Sequence, residues 1–182
     1  GCPANIAIGS ARLGLKSALL TRVGNEPMGR YVLEQMAREG VATRGIATDN
    51  ERLTALVLLA VENEHAFPLI FYRENCADMA LREADVEADF IGSAGAIVVT
   101  GTHFSRPGVA AAQKKAMAIM KAAGGRIAFD IDYRPNLWGL AGHGAGESRY
   151  VKSAEVSRRL AAILPDCDLV VGTEEEVRIA TG

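Results

Sequence analysis

The feature that most constrains the fold is the alternation of short apolar runs with helix-length segments in the second half of the chain. Apolar runs of strand length occupy 96–100, 126–130 and 168–171, and helical patterns occupy 107–123 and 153–164 and begin again at Thr173. Strands separated by helices of this length form right-handed βαβ units. The sequence therefore predicts an α/β fold with a mostly parallel sheet that helices cover on both faces.

The first half begins with the same alternation and then departs from it. We expect a helix over 3–13, a strand over 17–23 and a helix over 27–39. The strand-like runs 54–61 and 68–73 follow, joined by the polar turn 62–65. Because no helical pattern lies between these runs, they predict a β hairpin rather than a crossover connection. A short acidic helix over about 85–93 then leads back to the alternating half.

Composition argues against several classes of protein. The net charge of −2 over 182 residues gives no electrostatic reason to expect nucleic acid or an anionic membrane surface. No apolar run approaches the roughly 20 residues of a membrane span, and no signal-peptide pattern opens the chain. The three cysteines are scattered, and neither they nor the histidines have zinc-site spacing. We therefore expect a cytoplasmic protein without nucleic-acid or membrane partners.

Polar side chains follow the predicted strand 126–130. Alternation along an extended segment places Asp130, Asp132 and Arg134 on one face. Ligands of parallel α/β sheets bind beyond the carboxyl ends of the strands. An arginine beside two carboxylates suits a hydroxylated, anionic small molecule, with Arg134 binding its carboxylate or phosphate. The alternative is an ordinary ion pair at the end of a strand.

Three further positions each allow a structural and a functional interpretation. The segment from Gly1 to Asn5 either nucleates a helix or offers backbone amides and a carboxamide to sugar hydroxyls. Arg73 either protects an edge strand from aggregation or faces a ligand. Thr173 and Glu176 match a capping box, which explains them structurally, and a chemical role at Glu176 is the alternative.

Several motifs resemble those of the ribokinase-like (PfkB) carbohydrate kinases, over essentially the whole chain. The sugar-binding element of that family is similar to Gly1-Cys-Pro-Ala-Asn5, and a second family element is similar to Val23-Gly-Asn-Glu-Pro-Met-Gly29. The segment Asp130–Trp138 resembles the corresponding part of members that phosphorylate keto-deoxy sugar acids. Thr173-x-x-Glu176 falls on the element linked with magnesium and phosphate handling.

The resemblance implies a three-layer α/β/α sandwich with a mostly parallel sheet and a small β lid. Residues 1–182 would form a partial kinase domain, with the lid hairpin inserted at about 45–75. The chain begins at Gly1 rather than at a methionine, and we interpret it as a piece of a longer protein. By the resemblance, a first strand and a C-terminal part that carries the catalytic base lie outside it, so no catalytic residue is expected in this chain.

The implied activity is ATP- and Mg²⁺-dependent phosphorylation of a sugar or sugar-acid hydroxyl. The expected acceptor is 5-dehydro-2-deoxy-D-gluconate of inositol catabolism, and 2-keto-3-deoxygluconate, fructose and ribose are alternatives. A non-catalytic sugar-binding or regulatory module on the same fold is the rival interpretation. A homodimer formed through the lid is a further expectation.

The resemblance also assigns roles to individual residues. Glu176 would act on magnesium through water. The residues expected to bind the acceptor are Gly1, Asn5, Arg73, Asn75, Asp132 and Arg134.

Overall fold

The computed structural model describes residues 1–61, 63–64, 68–142 and 150–182. Glu62 and His65 of the predicted polar turn therefore lie outside the described residues. The helices are α1 (Cys2–Arg12), α2 (Pro27–Arg38), α3 (Ala88–Gly92), α4 (Pro107–Ala122), α5 (Ala154–Ala161) and α6 (Glu174–Thr181). The strands are β1 (Thr21–Gly24), β2 (Ile46–Asp49), β3 (Leu56–Leu59), β4 (Leu69–Tyr72), β5 (Ala96–Thr100), β6 (Arg126–Asp130) and β7 (Leu169–Val171).

A three-stranded parallel sheet forms the centre of the second half, in the order β5-β6-β7. The predicted parallel arrangement is confirmed, and the expected bounds of β5 and β6 agree with the structure. The register places Thr100, Asp130 and Val171 level with one another. The segments that leave these three strands therefore emerge together at one edge of the sheet.

The first half contains two smaller sheets. β3 and β4 pair antiparallel, with Val57 opposite Phe71, which confirms the predicted hairpin. β1 pairs in parallel with β2, a strand that the sequence reasoning did not identify. Within the described part of the region 45–75, β3 and β4 are the antiparallel strands, whereas β2 pairs in parallel. The expected strand over 17–23 is wrong in its first half, where Ala18 makes a single isolated bridge to Ala42.

One face of α4 anchors the central sheet. Val109, Ala112 and Ala116 recur at helical spacing, each at most 1% exposed, and belong to the same core as the sheet residue Phe129. The ring of Phe129 meets that of Phe104 edge to face, with the centroids 6.0 Å apart. This packing fixes both the end of β6 and the turn after β5, where the candidate site lies.

No described helix is long and apolar enough to cross a membrane.

Candidate functional site

The site is built where the turns after β5, β6 and β7 meet. A Cβ atom on Gly101 would lie 2.1 Å from the Ile131 carbonyl oxygen, and one on Gly172 would lie 2.8 Å from Ile131 Cδ1. The turn after β5 approaches the backbone of the middle turn closely because it carries glycine there, and Gly172 leaves room for the Ile131 side chain. Residues 130–134 are therefore held between two neighbouring segments.

Asp132, Arg134 and Glu176 come together at this edge, although 42 residues separate Arg134 from Glu176 in the sequence. Arg134 Nη2 lies 2.7 Å from Asp132 Oδ1, and Arg134 Nη1 lies 3.6 Å from Glu176 Oε1. Asp132 and Arg134 are paired, but the segment 130–134 is not extended as predicted, because Asp132 has a positive φ. The Arg134 side chain is 39% exposed, so its guanidinium is accessible to a ligand while two carboxylates orient it.

Asp130 has a different partner from Asp132. Its Oδ2 accepts a hydrogen bond from the thiol of Cys2, at 2.8 Å, which brings the start of α1 to the sheet edge. Burial, reinforced by this bond, raises the pKa of the Cys2 thiol, so the group stays protonated and remains a donor. Gly1 precedes α1 as its N-cap, and Asn5 lies three residues after Cys2 on the same side of the helix. The structure therefore places the predicted Gly1 beside the strand end, whereas Asn5 is exposed on α1.

Arg73 leaves the hairpin and is engaged by an acidic residue that the sequence reasoning did not assign. Its guanidinium forms an ion pair with Asp78, and both side chains are largely buried. His103 Nε2 lies 3.9 Å from Asp78 Oδ2, and His103 Nδ1 is hydrogen-bonded to Thr100 Oγ1 at 2.7 Å. The hairpin is thus connected to the end of β5. Asp78 and His103 are 25 residues apart, and nothing in the sequence showed that they meet.

Asn75 makes a separate contact. Its carboxamide oxygen accepts a hydrogen bond from Arg52 Nε at 3.1 Å, rather than contacting Arg134 or Asp132 in the described structure. Asn75 and Asp132 are, among the residues that the structure describes, the non-glycine residues with positive φ, 49° and 31° respectively. Such backbone is uncommon outside glycine and concentrates at functional sites.

His103 is held in its neutral form. Burial and the nearby Arg73 charge lower its pKa to about 4, while the Asp78 and Asp132 carboxylates oppose that shift. A neutral imidazole accepts or donates at each ring nitrogen according to its tautomer, so His103 can bond the Thr100 hydroxyl without adding charge beside Arg73.

This depressed pKa predicts a loss of stability in mild acid. In the unfolded chain the pKa of His103 is about 6.5, and in the folded protein it is about 4. Between these two pH values the unfolded chain binds a proton that the folded protein does not. The contribution of His103 to stability is therefore fully present above pH 6.5 and is lost as the pH falls towards 4. From pH 7 to pH 5 we expect the unfolding free energy to fall by about 2 kcal/mol more than in His103→Asn, which lacks the titrating group. Urea unfolding of both proteins at the two pH values measures this, and parallel losses would contradict it.

Glu176 links α6 to the turn after β6. Its Oε2 accepts from the Thr173 N–H at 3.0 Å and the Thr173 hydroxyl accepts from the Glu176 N–H at 3.3 Å, so the predicted capping box is confirmed. Its Oε1 accepts from the Tyr133 N–H at 2.9 Å. Glu176 is buried, at 7% exposure, and both of its carboxylate oxygens accept hydrogen bonds.

The described residues do not supply a complete metal site. Within the ranges described above, no group of three His, Cys, Asp or Glu side chains is placed to hold an ion. Because each Glu176 oxygen already accepts an N–H bond, direct coordination by this residue fits poorly. Its action on magnesium through water stays a prediction.

Comparison with known proteins agrees with this architecture. Residues 1–182 match the pfkB family carbohydrate kinases. Over 177 residues the chain is 32% identical to the 5-dehydro-2-deoxygluconokinase of Geobacillus kaustophilus, in a match that covers 97% of this chain and 49% of the relative.

Solved structures agree as well. An uncharacterized sugar kinase from Pyrococcus horikoshii superposes with a TM-score of 0.82 at 30% identity, covering 98% of this chain and 54% of that one. The structure of that kinase in complex with ATP gives a TM-score of 0.75 at 28% identity, with coverage of 93% and 52%.

The predicted ribokinase-like α/β fold is therefore confirmed. The chain spans about half the length of the relatives that it matches. It belongs to the pfkB family of carbohydrate kinases.

Proposed function

We propose that a full-length protein containing this chain transfers a phosphoryl group from ATP to a hydroxyl of a sugar acid, and that this chain supplies the acceptor-binding part. The observation that carries the proposal is the Asp132–Arg134 pair at the carboxyl edge of the sheet, with the guanidinium partly exposed. That edge is where parallel α/β sheets bind ligands. A carboxylate beside an accessible guanidinium suits an acceptor that has both hydroxyls and a negative charge.

The two arginines have different parts in this proposal. Arg73 is only 12% exposed and its charge is balanced by Asp78, whereas Arg134 is 39% exposed. We therefore assign the carboxylate of the acceptor to Arg134 and hydroxyl recognition to the Arg73–Asp78 pair. Gly1, Asn5 and Asn75 would complete the acceptor site.

The relatives favour one acceptor within this class. The name 5-dehydro-2-deoxygluconokinase recurs among proteins that match nearly the whole chain, and 5-dehydro-2-deoxy-D-gluconate of inositol catabolism carries the carboxylate and hydroxyls that the site suits. We propose it as the acceptor. Phosphoryl transfer needs positioning and charge stabilisation rather than covalent chemistry from the protein. Mg²⁺ would supply charge neutralisation on the phosphates, and Glu176 would contribute through water.

The isolated 182-residue chain is expected to turn over ATP at least about 10³-fold more slowly than the full-length protein. The resemblance places the general base and the anion hole outside this chain, and loss of an anion-stabilising donor set alone costs about that much in rate. A coupled ATP-turnover assay of both proteins with the same sugar acid measures the difference. Comparable rates would overturn the assignment of this chain to the acceptor half. Sugar-acid binding without turnover by either protein would favour the non-catalytic module.

We also propose that the hairpin forms a homodimer interface. One of its faces carries Leu56, Leu58, Ile70 and Tyr72, and each of these side chains is at least 39% exposed. Cross-strand pairing puts Leu56 opposite Tyr72 and Leu58 opposite Ile70, so the four residues form a continuous apolar surface.

Leu58→Asp is expected to convert a dimer of the full-length protein into a monomer, because a charge on the apolar face opposes its burial. Leu59→Asp is the matched control, since it introduces the same charge on the opposite face of the same strand. Sedimentation equilibrium of the three proteins is the measurement. A monomeric wild type, or a dimer that persists in Leu58→Asp, would contradict this interface.

A further inference from the structure

The peptide group between Asp132 and Tyr133 is hydrogen-bonded at both of its ends. Its carbonyl oxygen, on Asp132, accepts a hydrogen bond from the Thr102 hydroxyl at 2.6 Å. Its N–H, on Tyr133, donates to Glu176 Oε1 at 2.9 Å. Thr102 belongs to the turn after β5 and Glu176 to the helix after β7, so the two neighbouring segments hold one peptide of the middle turn.

This peptide follows a residue in an unfavourable backbone conformation. Asp132 has a φ of 31°, a conformation that costs free energy for a residue with a side chain and that surrounding contacts stabilise. The Thr102 side chain is well placed to enforce it, because Thr102 is 1% exposed and its turn packs tightly against Ile131 through Gly101. Loss of the hydroxyl would leave the peptide held only by the Tyr133 N–H bond to Glu176, so the peptide would rotate more easily.

The same hydroxyl also lies next to the Asp132 side chain. Thr102 Oγ1 is 3.1 Å from Asp132 Oδ2, while the other carboxylate oxygen, Oδ1, contacts Arg134 Nη2 at 2.7 Å. Arg134 in turn donates to the carbonyl of Tyr133 at 2.8 Å. The position of the guanidinium therefore depends on both the backbone and the carboxylate that Thr102 fixes.

We propose that Thr102 is a positioning residue of the acceptor site, which holds Asp132 in its left-handed conformation and so places Arg134 to receive the acid group of the acceptor. The second half of this proposal, the placing of Arg134, rests on the proposed function, since it takes Arg134 as the group that binds the acceptor. Its first half, the restraint on the 132–133 peptide, stands on the contacts alone.

Two measurements on the full-length protein test the two halves. Thr102→Val removes the hydroxyl at nearly constant volume. It is expected to raise the KM for 5-dehydro-2-deoxy-D-gluconate about tenfold, with the KM for ATP and kcat within about twofold of wild type. Hydrogen exchange of the Tyr133 amide is expected to accelerate about tenfold, because its peptide gains freedom to rotate. Thr102→Ser retains a hydroxyl and should restore both values.

Thr181→Val is the matched control, since the Thr181 hydroxyl also donates to a backbone carbonyl, that of Val177 at 2.8 Å, but at the far end of α6. If Thr102→Val fails to fold, Thr102→Ala removes the same hydroxyl without adding volume and carries the test. Unchanged exchange at Tyr133, or a serine variant as impaired as the valine variant, would overturn the positioning role. Absence of turnover in the wild type would instead overturn the proposed function.

Discussion

Arg134→Ala in the full-length protein is expected to raise the KM for a keto-deoxy sugar acid about 10- to 100-fold, while the KM for a neutral sugar changes by less than about threefold. The guanidinium would donate charge-assisted bonds to the acceptor carboxylate, which a neutral sugar lacks. Its removal also leaves the Asp132 and Glu176 carboxylates without their cation, and their charge then repels an acid. Steady-state kinetics with paired acidic and neutral acceptors measure the effect.

Arg126→Ala is the control for this substitution. Arg126 begins the strand after which Arg134 lies, and its ion pair with Asp168 is exposed and distant from the carboxyl edge. We expect this variant to keep both KM values. Equal losses on acidic and neutral acceptors in Arg134→Ala would show instead that Arg134 serves as a structural partner of Asp132 and Glu176.

Glu176→Gln is expected to lower the free energy of unfolding by about 1–3 kcal/mol. In a capping box alone this change is nearly silent, since glutamine can return the same bond to the Thr173 N–H. The structure shows that the two carboxylate oxygens accept from two different segments, Thr173 and Tyr133. Glutamine has one acceptor oxygen, so its NH₂ group would face one of these donors. Urea unfolding of the full-length protein measures the loss.

Glu174→Gln provides the comparison for the same helix. Glu174 lies in the first turn of α6, pairs with Arg178 and is exposed, so we expect little change in stability. Overlapping unfolding curves for wild type and Glu176→Gln would contradict the bridging role.

A magnesium titration of kcat tests whether Glu176 also acts on the metal through water. A higher magnesium requirement in Glu176→Gln supports that action, and coincident titration curves would leave Glu176 purely structural.

Local patterns in the sequence were sufficient for much of the fold. β5 and β6 are apolar runs bounded by polar or glycine-rich segments, and the structure begins and ends them where the pattern does. The capping box at Thr173 is a four-residue motif, so it could be recognised without any tertiary information. β2 was not predicted, because Ile46–Asp49 has only two apolar residues and forms a strand through its pairing with β1.

Local sequence patterns predicted only part of the candidate site. Asp132 and Arg134 are two residues apart, so the sequence could place them close together, although the positive φ of Asp132 interrupts the extended alternation on which that prediction relied. The bond from Thr102 to Asp132 joins residues 30 apart, and the Tyr133–Glu176 bond joins residues 43 apart, so both depend on sheet register. The positive φ of Asp132 could not be read from the sequence, because aspartate visits left-handed backbone only occasionally and nothing nearby marks this position for it.

The most direct test of the acceptor assignment is a coupled ATP-turnover assay of the full-length protein against a panel of sugar acids and neutral sugars. The panel contains 5-dehydro-2-deoxy-D-gluconate, 2-keto-3-deoxygluconate, fructose and ribose, all assayed with Mg²⁺ present. We predict that kcat/KM is highest for 5-dehydro-2-deoxy-D-gluconate, and at least about tenfold higher for it than for either neutral sugar, because one charge-assisted bond contributes about that much. A preference for fructose or ribose would contradict the assignment of Arg134 to an acid group, and no turnover with any acceptor would contradict the kinase itself.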